Sequence, residues 1–193
     1  MLMKKSLASL GLALAATVSS PALAPGSAPA AHVAHGPVMS ADQIYAAFGW
    51  DFDKAEIKTQ KVADGFYVLF GLGGNIAVSV GKDGTLIVDD QFPQLMPKIK
   101  AALKEIGSEK VDFVINTHWH FDHADGNLTL GKEGSWIVSQ SNSRAMMLDD
   151  HIVNFGPFAG EQKAYPEHAL SDITFDDSMQ FHTNDHIGRA SGR

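Results

Sequence analysis

The chain has 193 residues, 45% of them hydrophobic and 19% charged, which is the composition of one globular domain and excludes bulk disorder. Fifteen basic residues stand against 22 acidic ones, a formal charge of −7; this argues against nucleic acid as a partner, because phosphate binding needs a basic face. With no cysteine, the chain has neither a disulfide framework nor a thiolate to offer a metal.

Residues 1–30 contain no acid and run from Lys4 and Lys5 through an apolar stretch to small residues, ending in Ala22-Leu23-Ala24 or Ala28-Pro29-Ala30. That order predicts a secretory signal peptide. Its apolar run is shorter than the roughly 20 residues of a spanning helix, and no later stretch is long and apolar enough. The expectation is a periplasmic or secreted protein without a stable membrane anchor. Residues 31–61 are expected to be a flexible N-terminal segment with solvated His32 and His35. Within it Ser40 is a helix N-cap, and Ile44, Tyr45 and Phe48 mark a short helix packed outside the domain.

The core is expected to begin near Val62. Runs at 66–70, 75–80 and 85–89 are strand-like and are separated by Gly71-Leu72-Gly73-Gly74 and Gly81-Lys82-Asp83-Gly84, which predicts an antiparallel meander. The first glycine turn joins two strands and lacks the Lys-Ser/Thr of a phosphate loop. Asp89-Asp90 closes the third strand. From Pro93 to Gly107, Leu95, Ile99, Leu103 and Ile106 mark one helical face, Pro97 suits the first turn and Gly107 the C-cap.

An apolar run over 111–115 then leads into Asn116-Thr117-His118-Trp119-His120-Phe121-Asp122-His123. Three imidazoles and a carboxylate at this density, at a strand's C-terminal end, predict a metal site. His118 and His120, two apart in extended chain, project to one side and can chelate one cation. Asp122 and His123 fall where the chain turns into a short helix and can face a second cation. Imidazole with carboxylate favours zinc, with iron or manganese possible. Beyond the motif come a strand near 136–138 and a helix over 141–149 with Met146 and Met147 in the core. Residues 150–169 are aperiodic, hold His151 and His168, and suit a substrate-side loop. Strands are expected at 173–175 and 179–182, and an irregular tail at 183–193.

The order His-x-His-x-Asp-His after a strand, followed by Asp125-Gly126-Asn127, resembles the metallo-β-lactamase superfamily. The resemblance implies an α/β fold, an αββα sandwich of two similar halves. Residues 62–182 would cover the first half and only the start of the second, an incomplete domain. It also implies an exported zinc-dependent hydrolase that attacks a lactam, lactone, ester or thioester carbonyl through a metal-bound hydroxide. His118 and His120 would hold one zinc and Asp122 and His123 the other, with Asp122 also orienting the hydroxide. His123 suits the His-only versions of the site. Asp89 matches the family's outer carboxylate that orients metal-bound imidazoles; a turn-capping role is the alternative. The Gly71–Gly74 hairpin resembles one beside the family's active site, and tight-turn geometry explains its glycines equally well. Two other readings are an iron-containing oxygenase of the same fold and a non-catalytic zinc-binding fragment. The partner is a small-molecule substrate. Further ligands would have to come from His151, His168, His182 or His186, so zinc binding is expected to be weak and below two equivalents. Self-association is expected through the uncovered face of the half-sandwich.

Overall fold

A computed structural model describes residues 36–191. The expected leader, His32 and His35 lie outside the described residues. The described chain opens with β1 (Val38–Met39) and α1 (Ala41–Ala47), followed by β2 (Lys58–Ala63), β3 (Phe66–Phe70), β4 (Ile76–Gly81) and β5 (Gly84–Val88). A 3-10 turn at Pro93–Leu95 starts α2 (Met96–Glu105), which leads to β6 (Phe113–Ile115). Then come α3 (Phe121–Ala124), α4 (Asn127–Leu130), β7 (Trp136–Gln140), α5 (Ser141–Met147), β8 (His151–Asn154), β9 (Ala159–Gln162), β10 (Ile173–Phe175), β11 (Ser178–Thr183) and β12 (His186–Ser191).

The main sheet has seven strands in the order β10-β7-β6-β5-β4-β3-β2. β3 to β5 form the expected antiparallel meander, β2 adds to β3 from a segment expected to be largely flexible, and β5, β6, β7 and β10 run parallel. Val114 on β6 is fully buried, as expected for a short apolar strand with neighbours on both sides. β2, at one edge, is exposed throughout, and Lys58 and Lys61 put charge where another chain would pair. On one face of the sheet Ile76, Val78, Ile87 and Val114 pack against Leu95, Ile99 and Leu103, the face read from the helical period. Each fully buried Leu or Ile contributes about 1.5–3 kcal/mol. Among the described residues no helix is long and apolar enough to cross a membrane.

Five expectations are corrected. The Ser40 capping box is present, with Ser40 N donating to Gln43 Oε1 at 2.9 Å and Gln43 N to Ser40 Oγ at 3.4 Å. Its helix, however, does not pack outside the domain, since Ile44 is 1% exposed and joins the main core. Residues beyond it are folded too: Trp50 and Phe52 each meet Phe92 edge-on at 5.1 Å. Lys98 on α2 anchors this segment by donating to the carbonyls of Phe52 (2.9 Å), Asp53 (2.7 Å) and Ala55 (2.7 Å). Lys98→Met keeps the stem and removes all three bonds. It is expected to lower stability by about 1–2 kcal/mol, given a partly exposed charged donor, which urea unfolding would measure.

Residues 151–162, within the expected loop, are a hairpin: β8 and β9 pair antiparallel, and β1 adds to β9; a 3-10 turn at Glu167–Ala169 follows. Residues 183–193 are not irregular either, for β12 pairs with β11 through all six residues of each strand. The turn signal is Asn184-Asp185, at φ 52° and 62°, the left-handed pair that a tight hairpin requires and that Asn and Asp accept. Asn184 also docks this turn on the main sheet, donating to Ser79 Oγ at 3.1 Å and Gly84 O at 3.0 Å. The sheet face expected to lie bare is consequently covered: Leu86, Ile115 and Val138 are buried, with Met179, Phe181 and Ala190 of the hairpin packed against them.

Candidate metal centre

The site is made where β5 and β6 end side by side. Asp89 follows β5 at φ 62°, a left-handed conformation that Asp tolerates better than most residues. Its amide donates to Ile115 O at 2.9 Å, and the carboxylate is turned onto the motif loop. Oδ1 accepts Thr117 N at 2.8 Å, while Oδ2 accepts Thr117 Oγ1 at 2.9 Å and lies 2.7 Å from His123 Nδ1. The segment that follows is stitched to α3, with Asp90 N donating to His123 O at 2.9 Å and Gly126 N to Gln91 O at 3.0 Å. Extended backbone at His120 (φ −64°, ψ 145°) gives way to α3, which brings Asp122 and His123 back toward His118.

His118, Asp122 and His123 each offer a ligand atom, and these atoms lie within 4.8 Å of one another. His123 Nε2 and Asp122 Oδ2 are 3.3 Å apart, close to the edge of a tetrahedron with ligand bonds of about 2.0–2.1 Å. Because Asp89 engages Nδ1 of His123, Nε2 is the nitrogen left for a metal, the usual carboxylate–imidazole arrangement. The donor set therefore fits zinc. His120 is not among these three, and its ring lies 4.7 Å from that of His118, the residue expected to share a cation with it. His151 meets Trp119 edge-on at 4.7 Å, and His186 meets Phe66 edge-on at 4.5 Å. Neither they nor His168 and His182 join the cluster among the described residues. Asp125 points elsewhere and accepts the Tyr165 hydroxyl at 2.7 Å.

Burial, followed by the charge of His123, holds the His118 imidazole below its usual value; burial and then His118 do the same for His120. Both are neutral and ready to ligate at neutral pH. His123 goes the other way. Burial opposes its charge, but hydrogen bonds to Asp122 and Asp89 outweigh it and push the imidazole up to about 10. Asp122 is likewise penalised by burial and still held below the usual carboxylate range by His123. A metal must thus displace the His123 proton. Between about pH 7 and 9, where His118 and His120 are already neutral, zinc affinity is expected to rise about tenfold per pH unit, one proton being released per ion. Zinc titrations across that range check it; a flat profile would show that His123 is not a ligand.

Two contributors lie outside the motif, the first of them the glycine hairpin whose resemblance placed it beside the site. The Gly71–Gly74 hairpin lies directly on the ligands: a Cβ on Gly74 would sit 2.5 Å from His123 Cε1, and one on Gly73 2.8 Å from Asp122 Cβ. Aromatic residues wall the pocket, a space of about 280 Å³ that Phe48, Trp50 and Phe155 share with the motif residues. Phe48 and Trp50 stack at 4.7 Å, and Phe155 meets Phe48 edge-on at 5.6 Å. A Phe-x-Trp pair after a capped helix was the available hint, but nothing local says that it reaches a motif 70 residues away.

Comparison with known proteins bears on the fold and the family. Coenzyme F420H(2) oxidase of Methanothermobacter marburgensis is 32% identical over 62 residues, covering 30% of this chain and 15% of that protein. BJP-1, a subclass B3 metallo-β-lactamase of Bradyrhizobium japonicum, superposes with a TM-score of 0.56 at 20% identity, over 69% of this chain and 50% of its own. LRA-12, a class B3 di-zinc metallo-β-lactamase from an Alaskan soil metagenome, gives 0.57 at 18%, over 71% and 52%. The chain spans about half the length of these solved structures, and at such identities the likeness is one of fold. The family profile described as the metallo-beta-lactamase superfamily matches residues 69–188, from β3 through the metal cluster to β12. More than half of the sequence thus carries the pattern, and the chain belongs to the metallo-β-lactamase superfamily.

Proposed function

We propose that the protein is an exported, zinc-dependent hydrolase of a small carbonyl substrate, whether lactam, lactone, ester or thioester. The convergence of His118, Asp122 and His123 with Asp89 behind His123 carries the reading. A zinc ion held there would polarise a carbonyl oxygen and lower the pKa of an attacking water toward neutrality. His118, His120, Asp122 and His123 are the proposed ligands, and Asp122 also orients the water. Asp89 holds His123 in the tautomer that presents Nε2 and ties Thr117, next to His118, to the same carboxylate. Phe48, Trp50 and Phe155 receive the non-reacting apolar part of the substrate and keep water away from the scissile bond. Export rests on the order of residues in 1–30, and N-terminal sequencing of secreted protein that began at Met1 would remove that part.

The test is zinc-dependent turnover of a chromogenic cephalosporin, a lactone and a thioester. It is run with this chain and with this chain joined to the second half of a longer relative. Hydrolysis that vanishes in Asp122→Ala is the expected result for the joined protein; full zinc loading there with no hydrolysis of any member sinks the reading. A redox alternative, iron-dependent oxygen chemistry at the same site, is favoured by the stretch similar to an oxidase. Iron in the purified protein together with oxygen uptake would select it. Zinc bound without turnover would select a non-catalytic zinc-binding role.

A further inference from the structure

On the other side of α3 is a second cavity, of about 300 Å³, large enough for a small organic ligand. Phe121 lines both it and the metal pocket; the metal ligands line only the latter. Ile44, Tyr45, Phe121, Leu128 and Tyr165 give the second cavity apolar and aromatic walls, and Asp125 gives it a carboxylate. One oxygen of Asp125 accepts the Tyr165 hydroxyl at 2.7 Å. Glu161 and Lys163 also line the space but are paired with each other, and Lys163 is held by Asp150 at 3.0 Å as well. Among the described residues, no ion pair reaches Asp125. The phenols sense the resulting negative field: burial, and then the charges of Asp125 and Asp42, push the Tyr45 hydroxyl up to about 12.

A carboxylate in apolar surroundings without a counter-charge is unfavourable, and the faces of tyrosine and phenylalanine attract cations. A bare divalent ion would call for six or more oxygen ligands, whereas this space offers Asp125, a Glu161 already paired with Lys163, and a mostly apolar wall. We propose that the cavity is a binding site for an organic ammonium ion, its charged head against Asp125 and its apolar body between Tyr45, Phe121 and Leu128. The site is independent of the hydrolase reading, because it uses none of the metal ligands.

Calorimetric titration of the full chain with benzyltrimethylammonium tests it, since a quaternary nitrogen cannot ligate a metal. Saturable one-to-one binding is expected. Asp125→Asn should weaken it by about tenfold or more, and neutral benzyl alcohol should bind correspondingly worse. Should Asp125→Asn fail to fold, Tyr45→Leu keeps an apolar wall and removes the aromatic face, with an expected loss of about three- to tenfold. No binding, equal binding of the neutral analogue, or affinity unchanged in both variants overturns the proposal.

Discussion

Asp122→Ala is expected to lower zinc affinity by more than about a hundredfold. Losing a carboxylate that merely supports a ligand costs about 10–100-fold in comparable sites, and Asp122 is placed as a ligand, its Oδ2 3.3 Å from His123 Nε2. The same variant removes a charge that holds the His123 proton, so part of the loss is offset at neutral pH by easier deprotonation; metal competition at about pH 9, where that proton is more readily released, gives the cleaner value. His120→Ala should lose less, about tenfold, because His120 stands outside the three-residue cluster. Asp125→Ala should leave zinc affinity unchanged, its carboxylate being turned to Tyr165. Asp89→Asn should fall in the 10–100-fold range of supporting carboxylates. Equilibrium competition with a chromophoric chelator ranks the four. Equal losses at all positions would mean that the loop unfolds and that no ligand has been identified.

Gly74→Val should also strip the metal, by at least about tenfold, although residue 74 offers no ligand. Its Cβ would lie 2.5 Å from Cε1 and 2.6 Å from Nδ1 of His123, and that ring cannot give way without breaking its 2.7 Å contact with Asp89. Overpacking of this kind costs about 1–3 kcal/mol, and here the strain falls on the ligand. Gly107→Ala separates this from a general loss of stability. Gly107 has φ 92° with nothing near its missing Cβ, so alanine there should cost about 1–2 kcal/mol of backbone strain and leave zinc affinity intact. Chelator competition paired with urea unfolding reads both quantities for each variant. If both glycine variants bind zinc as the parent does, the hairpin does not press on the ligands.

Much of this architecture was legible along the chain because it is governed by local periodicity. The meander from 66 to 89, the helix face of Leu95, Ile99 and Leu103, and the strand before His118 each depend on side-chain spacing within a dozen residues, and each was found in its place. The tail reads as irregular for a local reason as well: Asn184-Asp185 is a turn signal, but the strand after it, His-Ile-Gly-Arg-Ala-Ser, is nearly featureless and is defined by the partner strand it meets. The segment from Val38 to Ile57 was placed outside the core because its burial comes from Phe92, Phe121 and Lys98, residues distant in sequence.

The sequence alone determined the family, the side-chain types of the candidate site and the strand-to-loop setting of the motif, since side-chain chemistry and spacing are properties of a short peptide. Only the tertiary structure decided which side chains converge. It set His118 with Asp122 and His123 and left His120 to one side; it laid Gly73 and Gly74 against the ligands and made Phe48, Trp50 and Phe155 a wall of the pocket. Those relations depend on the packing of α1, the β3–β4 turn and the β8–β9 hairpin around α3. Close approach between segments tens of residues apart is a matter of excluded volume and burial, which no local pattern encodes.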